Sequence, residues 1–164
     1  MRAARATASL PLPVDEAWRL LVDARHHARW IPLTTVTASG DPALGVEIRA
    51  VSAGGVLGGF VDRMRIDRLD PPVAGRARVA VFTKLGPVLL GRALIAVRAG
   101  ADRPGPGGTA GGTNVLWIED VHLAGPLPRA LTRALLKVPL TLMMQLALRA
   151  ARREAEAASP PQAD

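Results

Sequence analysis

The amino-acid sequence predicts an α+β fold in which a curved antiparallel sheet of about seven strands surrounds a long C-terminal helix. Three observations predict it. Between residues 33 and 123 the hydrophobic pattern has a period of two, broken only by Gly- and Pro-rich turns. From residue 125 onward the period becomes helical and stays so for most of the remaining chain. Ahead of the sheet, one short alternating segment precedes two short helical segments.

The elements follow in order. "RATASLPL" (5–12) alternates and ends at Pro11 and Pro13, as a first strand would. Asp15 and Glu16 then occupy the first turn of a helix, where carboxylates suit the dipole. Val14, Trp18, Leu21 and Val22 give that helix an apolar face. Asp23 is placed to cap a second short helix over "ARHHARW", which must end near Ile31 because Pro32 follows. "LTTVTAS" is the next strand, followed by the turn "GDPALG". "VEIRAV" sets Val46, Ile48 and Ala50 against Glu47 and Arg49. After the glycine-rich "AGGVLGG", "FVDRMRIDRL" places Phe60, Asp62, Met64 and Ile66 on one face. "RARVAVFTK" places Ala77, Val79 and Val81 opposite Arg76, Arg78 and Ala80. "VLLGRALIAVRA" and "NVLWIEDVHL" complete the meander across a long Gly- and Pro-rich loop. The terminal helix starts near Gly125, Pro126 and Pro128, and Pro139 should kink it. Its expected apolar face is Leu131, Ala134, Leu135, Val138, Leu142, Leu146 and Ala150. The expected polar stripe is Lys137, Thr141, Gln145, Arg149 and Arg153. Residues 1–157 are expected to form one ligand-binding domain, and 158–164 a disordered tail.

Composition narrows the function. Hydrophobic residues make up 49% of the 164, but aromatics only 3%, so aliphatic and alanine side chains must fill the interior. Such a core leaves room for a cavity. The net charge of +7 is the excess of nineteen arginines and two lysines over 14 acidic residues, and these cations are scattered along the chain without stacking aromatics, so no nucleic-acid partner is expected. Disulfides and thiol catalysis are excluded because there is no cysteine. The N-terminal stretch is not patterned as a signal peptide. The most apolar run, 134–148, is short for a membrane span and is interrupted by Lys137 and Gln145. A cytoplasmic protein with no integral membrane segment is therefore expected; the sequence does not set its oligomeric state.

Several motifs together resemble the START-like (SRPBCC) superfamily, which includes birch pollen allergen, lipid-transfer START domains and bacterial polyketide cyclase/dehydrase proteins. They are "LPLPVDEAW", "DARHHARWIP", Gly45 at a strand entrance, "DPP" at 70–72 before an arginine-led strand, and "GGTNVLW" opening the last strand. The resemblance implies a helix-grip fold with an internal cavity for apolar ligands. It does not imply one activity, because fold does not set function. It also implies that two hairpins gate the cavity. Val56 and Leu57 at the tip of "AGGVLGG", facing Leu85 of "TKLGP", are the candidate gate.

The expected ligand-binding wall is Phe60, Asp62, Met64, Val79, Val81, Ile95, Trp117, Glu119, Leu135, Leu142 and Leu146. Two of these are candidate catalytic groups. Asp62 shares its face with apolar neighbours and so points inward, where an unpaired carboxylate is costly and often functional. The alternative is a wet strand-end carboxylate paired with an arginine. Glu119 shares a face with Trp117, which favours the interior, although both faces of that strand are mixed. Together the two carboxylates could serve acid/base chemistry, hydrogen-bond a ligand hydroxyl, or form an ion pair. His26 and His27 are adjacent and diverge on a helix. With no cysteine and no carboxylate at ligand spacing, no metal is expected, and no cofactor. The leading function is binding of a hydrophobic small molecule of lipid, polyketide or isoprenoid type, as carrier or sensor. One alternative is a polyketide aromatase/cyclase or dehydratase. Another is a peripheral membrane or protein-interaction module.

Overall fold

The computed structural model describes residues 3–52, 59–100 and 112–158. Strand β1 (Ala4–Leu10) leads into helix α1 (Val14–Val22), a single 3₁₀ turn (Ala24–His26) and the short helix α2 (His27–Trp30). Strands β2 (Thr34–Ala38), β3 (Glu47–Ser52), β4 (Phe60–Leu69), β5 (Arg78–Pro87), β6 (Leu89–Ala99) and β7 (Thr113–Leu123) follow. The chain ends in helix α3 (Arg129–Ala158). Its last residue passes the expected domain boundary by one, and the rest of the expected tail lies outside the described residues.

The seven strands form one antiparallel sheet in the order β1-β7-β6-β5-β4-β3-β2. Each strand from β2 to β7 pairs with the next, and β1 returns to pair with β7. This is the expected meander. Two register shifts between β4 and β5 leave Asp67 and Leu85 as extra residues, and such bulges strengthen the twist that curls a sheet. Gly91 serves the same bend. Its φ is +126°, and a Cβ there would lie 2.2 Å from the Asp120 carbonyl oxygen of β7.

The local expectations for α1 and α2 hold. Ala17, Trp18, Leu21 and Val22 are buried under α1. The Asp23 carboxylate caps the 3₁₀ turn by accepting from the Arg25 amide at 3.0 Å. Trp30 Nε1 donates to Glu154 at 2.8 Å, and Arg29 adds an ion pair to the same carboxylate. These two contacts fasten α2 to α3.

The sidedness of two elements differs from expectation. On β5 the inner residues are Ala80, Phe82 and Lys84, so Val79 and Val81 lie on the other face. Phe60 and Val79 thus face opposite sides, and the register assumed for this strand is reversed. The reason is two cations on the inner face. The Arg78 guanidinium lies 4.4 Å from the centre of the Trp18 ring and pairs with Asp15 at 2.7 Å. Lys84 is buried among carboxylates. Both residues read as solvent-facing in a simple alternation, which pushes the valines inward.

On α3 the side against the protein is Met144, Ala147, Leu148, Ala151 and Ala155, while Leu131, Leu135, Val138, Leu142 and Leu146 are exposed. The helix is apolar around most of its circumference between 130 and 148, so pattern alone does not choose a side. Contact with β1 and β7 chooses it. Strand β1 presents the small Ala4 and Ala6, and alanines spaced by four on α3 allow close approach. By length and composition α3 could cross a membrane. In this fold, one of its sides is instead built into the core.

Candidate functional site: a charged cluster in an apolar cavity

Between the sheet, α2 and the middle of α3 is a cavity of about 210 Å³. Its walls are Ile48 and Ala50 of β3, Phe60 and Met64 of β4, Phe82 of β5, Leu89, Ala93 and Ile95 of β6, and Trp117 of β7. Ala24, His27 and Ile31 close one side, and Leu140 and Met143 are the contribution of α3. Methionine adapts to irregular apolar shapes, and two of them face this space. Thr34 and Ser52 add hydroxyls that bond each other at 2.8 Å.

Three charged side chains meet on this wall. Lys84 Nζ donates to Asp62 Oδ2 at 2.5 Å and lies 3.9 Å from Glu119 Oε2. The side chains of Lys84, Asp62 and Glu119 are only 5%, 13% and 4% exposed. The sheet register explains the meeting. Lys84 pairs across to Met64, so its long side chain reaches diagonally to Asp62, two residues along β4. Toward Glu119 it crosses β6, where Gly91 and Ala93 place little bulk between them. Trp117 Nε1 donates to Glu119 Oε1 at 3.2 Å and orients that carboxyl. Asp62 Oδ1 and Glu119 Oε2 have no hydrogen-bond partner.

Burial pushes the Glu119 carboxyl above the ordinary carboxylate range; Lys84 opposes this and Asp62 reinforces it. For Lys84, burial works against the charge, but the Glu119 and Asp62 carboxylates outweigh it and raise its pKa. The cluster thus contains a firmly charged ammonium beside a carboxyl group biased toward keeping its proton. His27 faces the same space. Burial pulls its imidazole down to about 4, against the bond from Nε2 to the Leu21 carbonyl at 2.8 Å. Its ring lies between Trp30 and Trp117, with centroids 5.2 Å and 5.1 Å away. It is therefore neutral near pH 7, with Nε2 carrying the proton that the carbonyl accepts.

Phe60, Asp62, Met64, Ile95, Trp117 and Glu119 all lie on the cavity wall. Val79 and Val81 do not, since β5 is turned the other way. Leu135, Leu142 and Leu146 do not, since they face outward from α3. Leu85 falls on the β5 face opposite Lys84 and is absent from the wall. Val56 and Leu57, its expected gate partners, lie outside the described residues. Sequence reasoning missed Lys84, Phe82 and His27. A signal for Lys84 did exist: it is one of only two lysines in an arginine-rich chain, at even spacing from Phe82.

No protein-family model matches the chain, and no curated protein matches it. Solved structures do. The di-domain ARO/CYC protein BexL superposes with a TM-score of 0.61 at 18% identity, over 98% of this chain and 48% of BexL. This chain therefore spans about half the length of that protein. A protein from Thermus thermophilus superposes with a TM-score of 0.62 at 16% identity, over 96% of this chain and 99% of its own. Ara h 8.0201 superposes with a TM-score of 0.57 at 14% identity, over 93% of this chain and 96% of its own. At these identities the likeness concerns fold, and the fold is START-like: a curled antiparallel sheet gripping a long C-terminal helix.

Proposed function

We propose that this protein binds a compact, mainly apolar small molecule of lipid, polyketide or isoprenoid type in the cavity, as a carrier or sensor. A polar group of the ligand would lie against Lys84, Asp62 and Glu119. The observation that carries this reading is a charged cluster with two carboxylate oxygens that accept no hydrogen bond in a mainly apolar wall. A buried ion cluster contributes little stability compared with apolar residues of similar volume, so stability alone does not account for it. A ligand hydroxyl would satisfy a free carboxylate oxygen, and a ligand carbonyl would accept from Lys84 or protonated Glu119. The cavity is below the roughly 300–1,000 Å³ of drug-sized sites, which favours a small ring system or short chain. Native mass spectrometry of the purified chain should show a retained apolar ligand. An environment-sensitive apolar dye should bind the wild type and fail to bind Ala50→Phe, which fills the cavity. Equal dye binding by a folded Ala50→Phe protein would refute the reading.

A second reading, polyketide aromatase/cyclase or dehydratase chemistry, is favoured by the raised pKa of Glu119 on the cavity wall. In an elimination, protonated Glu119 would donate to a departing hydroxyl, which leaves as water. Asp62 would take the proton from the neighbouring carbon. The ARO/CYC protein among the similar structures is consistent with that chemistry. Loss of turnover in Glu119→Gln with dye binding retained would separate this reading from simple binding.

A further inference from the structure

The exposed side of α3 has no role in the cavity. Among the described residues nine large hydrophobic side chains are exposed, and six of them lie on α3 or just before it: Leu127, Leu131, Leu135, Val138, Leu142 and Leu146. The last five recur at spacings of four, three, four and four, so they form one line along the helix. At about 1.5 Å per residue the line is about 22 Å long. Its members are 46–74% exposed. An apolar stripe this long on a surface marks a docking site rather than ordinary scatter.

The charges around the stripe indicate what it docks against. Arg149 and Arg153 continue the same line toward the C-terminus. Neither has an ion-pair partner among the described residues. The acidic groups of α3 are already engaged, Glu154 by Arg29 and Trp30, and Glu156 by Arg152. The whole chain carries +7. A second copy is a poor occupant. A second copy packed on the stripe would offer Arg149 and Arg153 no free carboxylate of α3 to pair with, since Glu154 and Glu156 are engaged. An anionic lipid surface meets both requirements, because its acyl boundary takes the leucines and its headgroups take the cations. Insertion across a bilayer is excluded for the folded state, because Met144, Ala147, Leu148 and Ala151 on the opposite side are buried in the core.

We propose that α3 docks the folded protein in-plane on an anionic lipid surface through this stripe and its flanking cations. The proposal is independent of what occupies the cavity. The test is vesicle co-sedimentation of the full chain, with phosphatidylcholine vesicles and with mixed phosphatidylcholine–phosphatidylglycerol vesicles. The wild type should associate with the mixed vesicles, more weakly with phosphatidylcholine alone, and less as salt rises. Leu135→Ser with Val138→Ser should weaken association about ten-fold or more. Arg149→Gln with Arg153→Gln should weaken it about ten-fold and flatten the salt dependence. Circular dichroism melts and cavity dye binding report whether each variant is folded, and the arginine pair supplies the test should the leucine–valine pair fail to fold. Absence of association with mixed vesicles at low salt would overturn the proposal. So would association that a folded variant leaves unchanged. Sedimentation equilibrium showing a dimer that Leu135→Ser with Val138→Ser splits would also overturn it, because a second copy would then cover the stripe.

Discussion

Replacing Lys84 with methionine tests the electrostatics of the cavity most directly. Methionine keeps much of the length and apolar stem of lysine but removes the ammonium. Asp62 and Glu119 would then face each other from a wall where neither is more than 13% exposed. Breaking a buried ion pair by deleting one partner costs about 3–5 kcal/mol. The lower end applies here, because the cavity can admit water and Glu119 already tends to keep its proton. The expected loss is therefore about 3 kcal/mol at about pH 8, a large fraction of the roughly 5–15 kcal/mol of a typical domain. The sign of the pH dependence follows from the same groups. Without the ammonium, which is the main influence opposing the rise, the folded-state pKa of Glu119 moves further above its unfolded value. A raised carboxyl binds its proton in the folded state where the unfolded chain has released it. Its stabilising contribution is complete below the unfolded pKa and is lost as pH rises through the folded one. The deficit of Lys84→Met relative to wild type should therefore shrink to about 1 kcal/mol at about pH 5 and grow toward about pH 8. Urea unfolding followed by tryptophan fluorescence reads this, since Trp117 hydrogen-bonds Glu119. Equal midpoints at the higher pH, or a deficit that shrinks as pH rises, would refute the reasoning.

Other consequences are independent of the cluster. The His27 imidazole, depressed to about 4, should keep its neutral NMR shifts as pH falls through the ordinary histidine range; titration near 6.5 would show that the ring is wet. Because that pKa is lowered, any stability His27 contributes is present above about 6.5 and is lost as pH falls toward about 4. Gly91→Ala should cost about 3 kcal/mol in thermal melts, since its Cβ would collide with the β7 backbone at a φ that side chains rarely adopt. An unchanged melting temperature would mean that β6 and β7 relax apart at no cost. Arg63→Gln with Arg65→Gln should leave dye binding nearly unchanged, because both side chains are exposed and paired with Glu47 and Asp67. A large loss would place those arginines at the ligand. Trp30→Phe should cost about 1–2 kcal/mol by urea unfolding through loss of the bond to Glu154, and a neutral result would remove that bond from the attachment of α2 to α3.

The sequence by itself determined the architecture and part of the cavity wall. Alternation on β3, β4 and β7 was legible because each of these strands has one clearly more apolar face, or an aromatic to mark it. Ile48, Phe60, Met64 and Trp117 therefore fall inside as expected, with Asp62 and Glu119 carried in on the same faces. Only the tertiary structure decided the sidedness of β5 and α3. On β5, Arg78 and Lys84 occupy inner positions because Asp15, Trp18, Asp62 and Glu119, distant in sequence, offer them charge and aromatic partners. No local pattern encodes a partner sixty residues away, so the strand reads inside out. On α3, leucines surround most of the helix, and hydrophobicity could not choose which of them to bury. The choice fell to shape: the small side chains of β1 accept the alanine-lined side of the helix at close range, and the bulkier leucine line is left facing out.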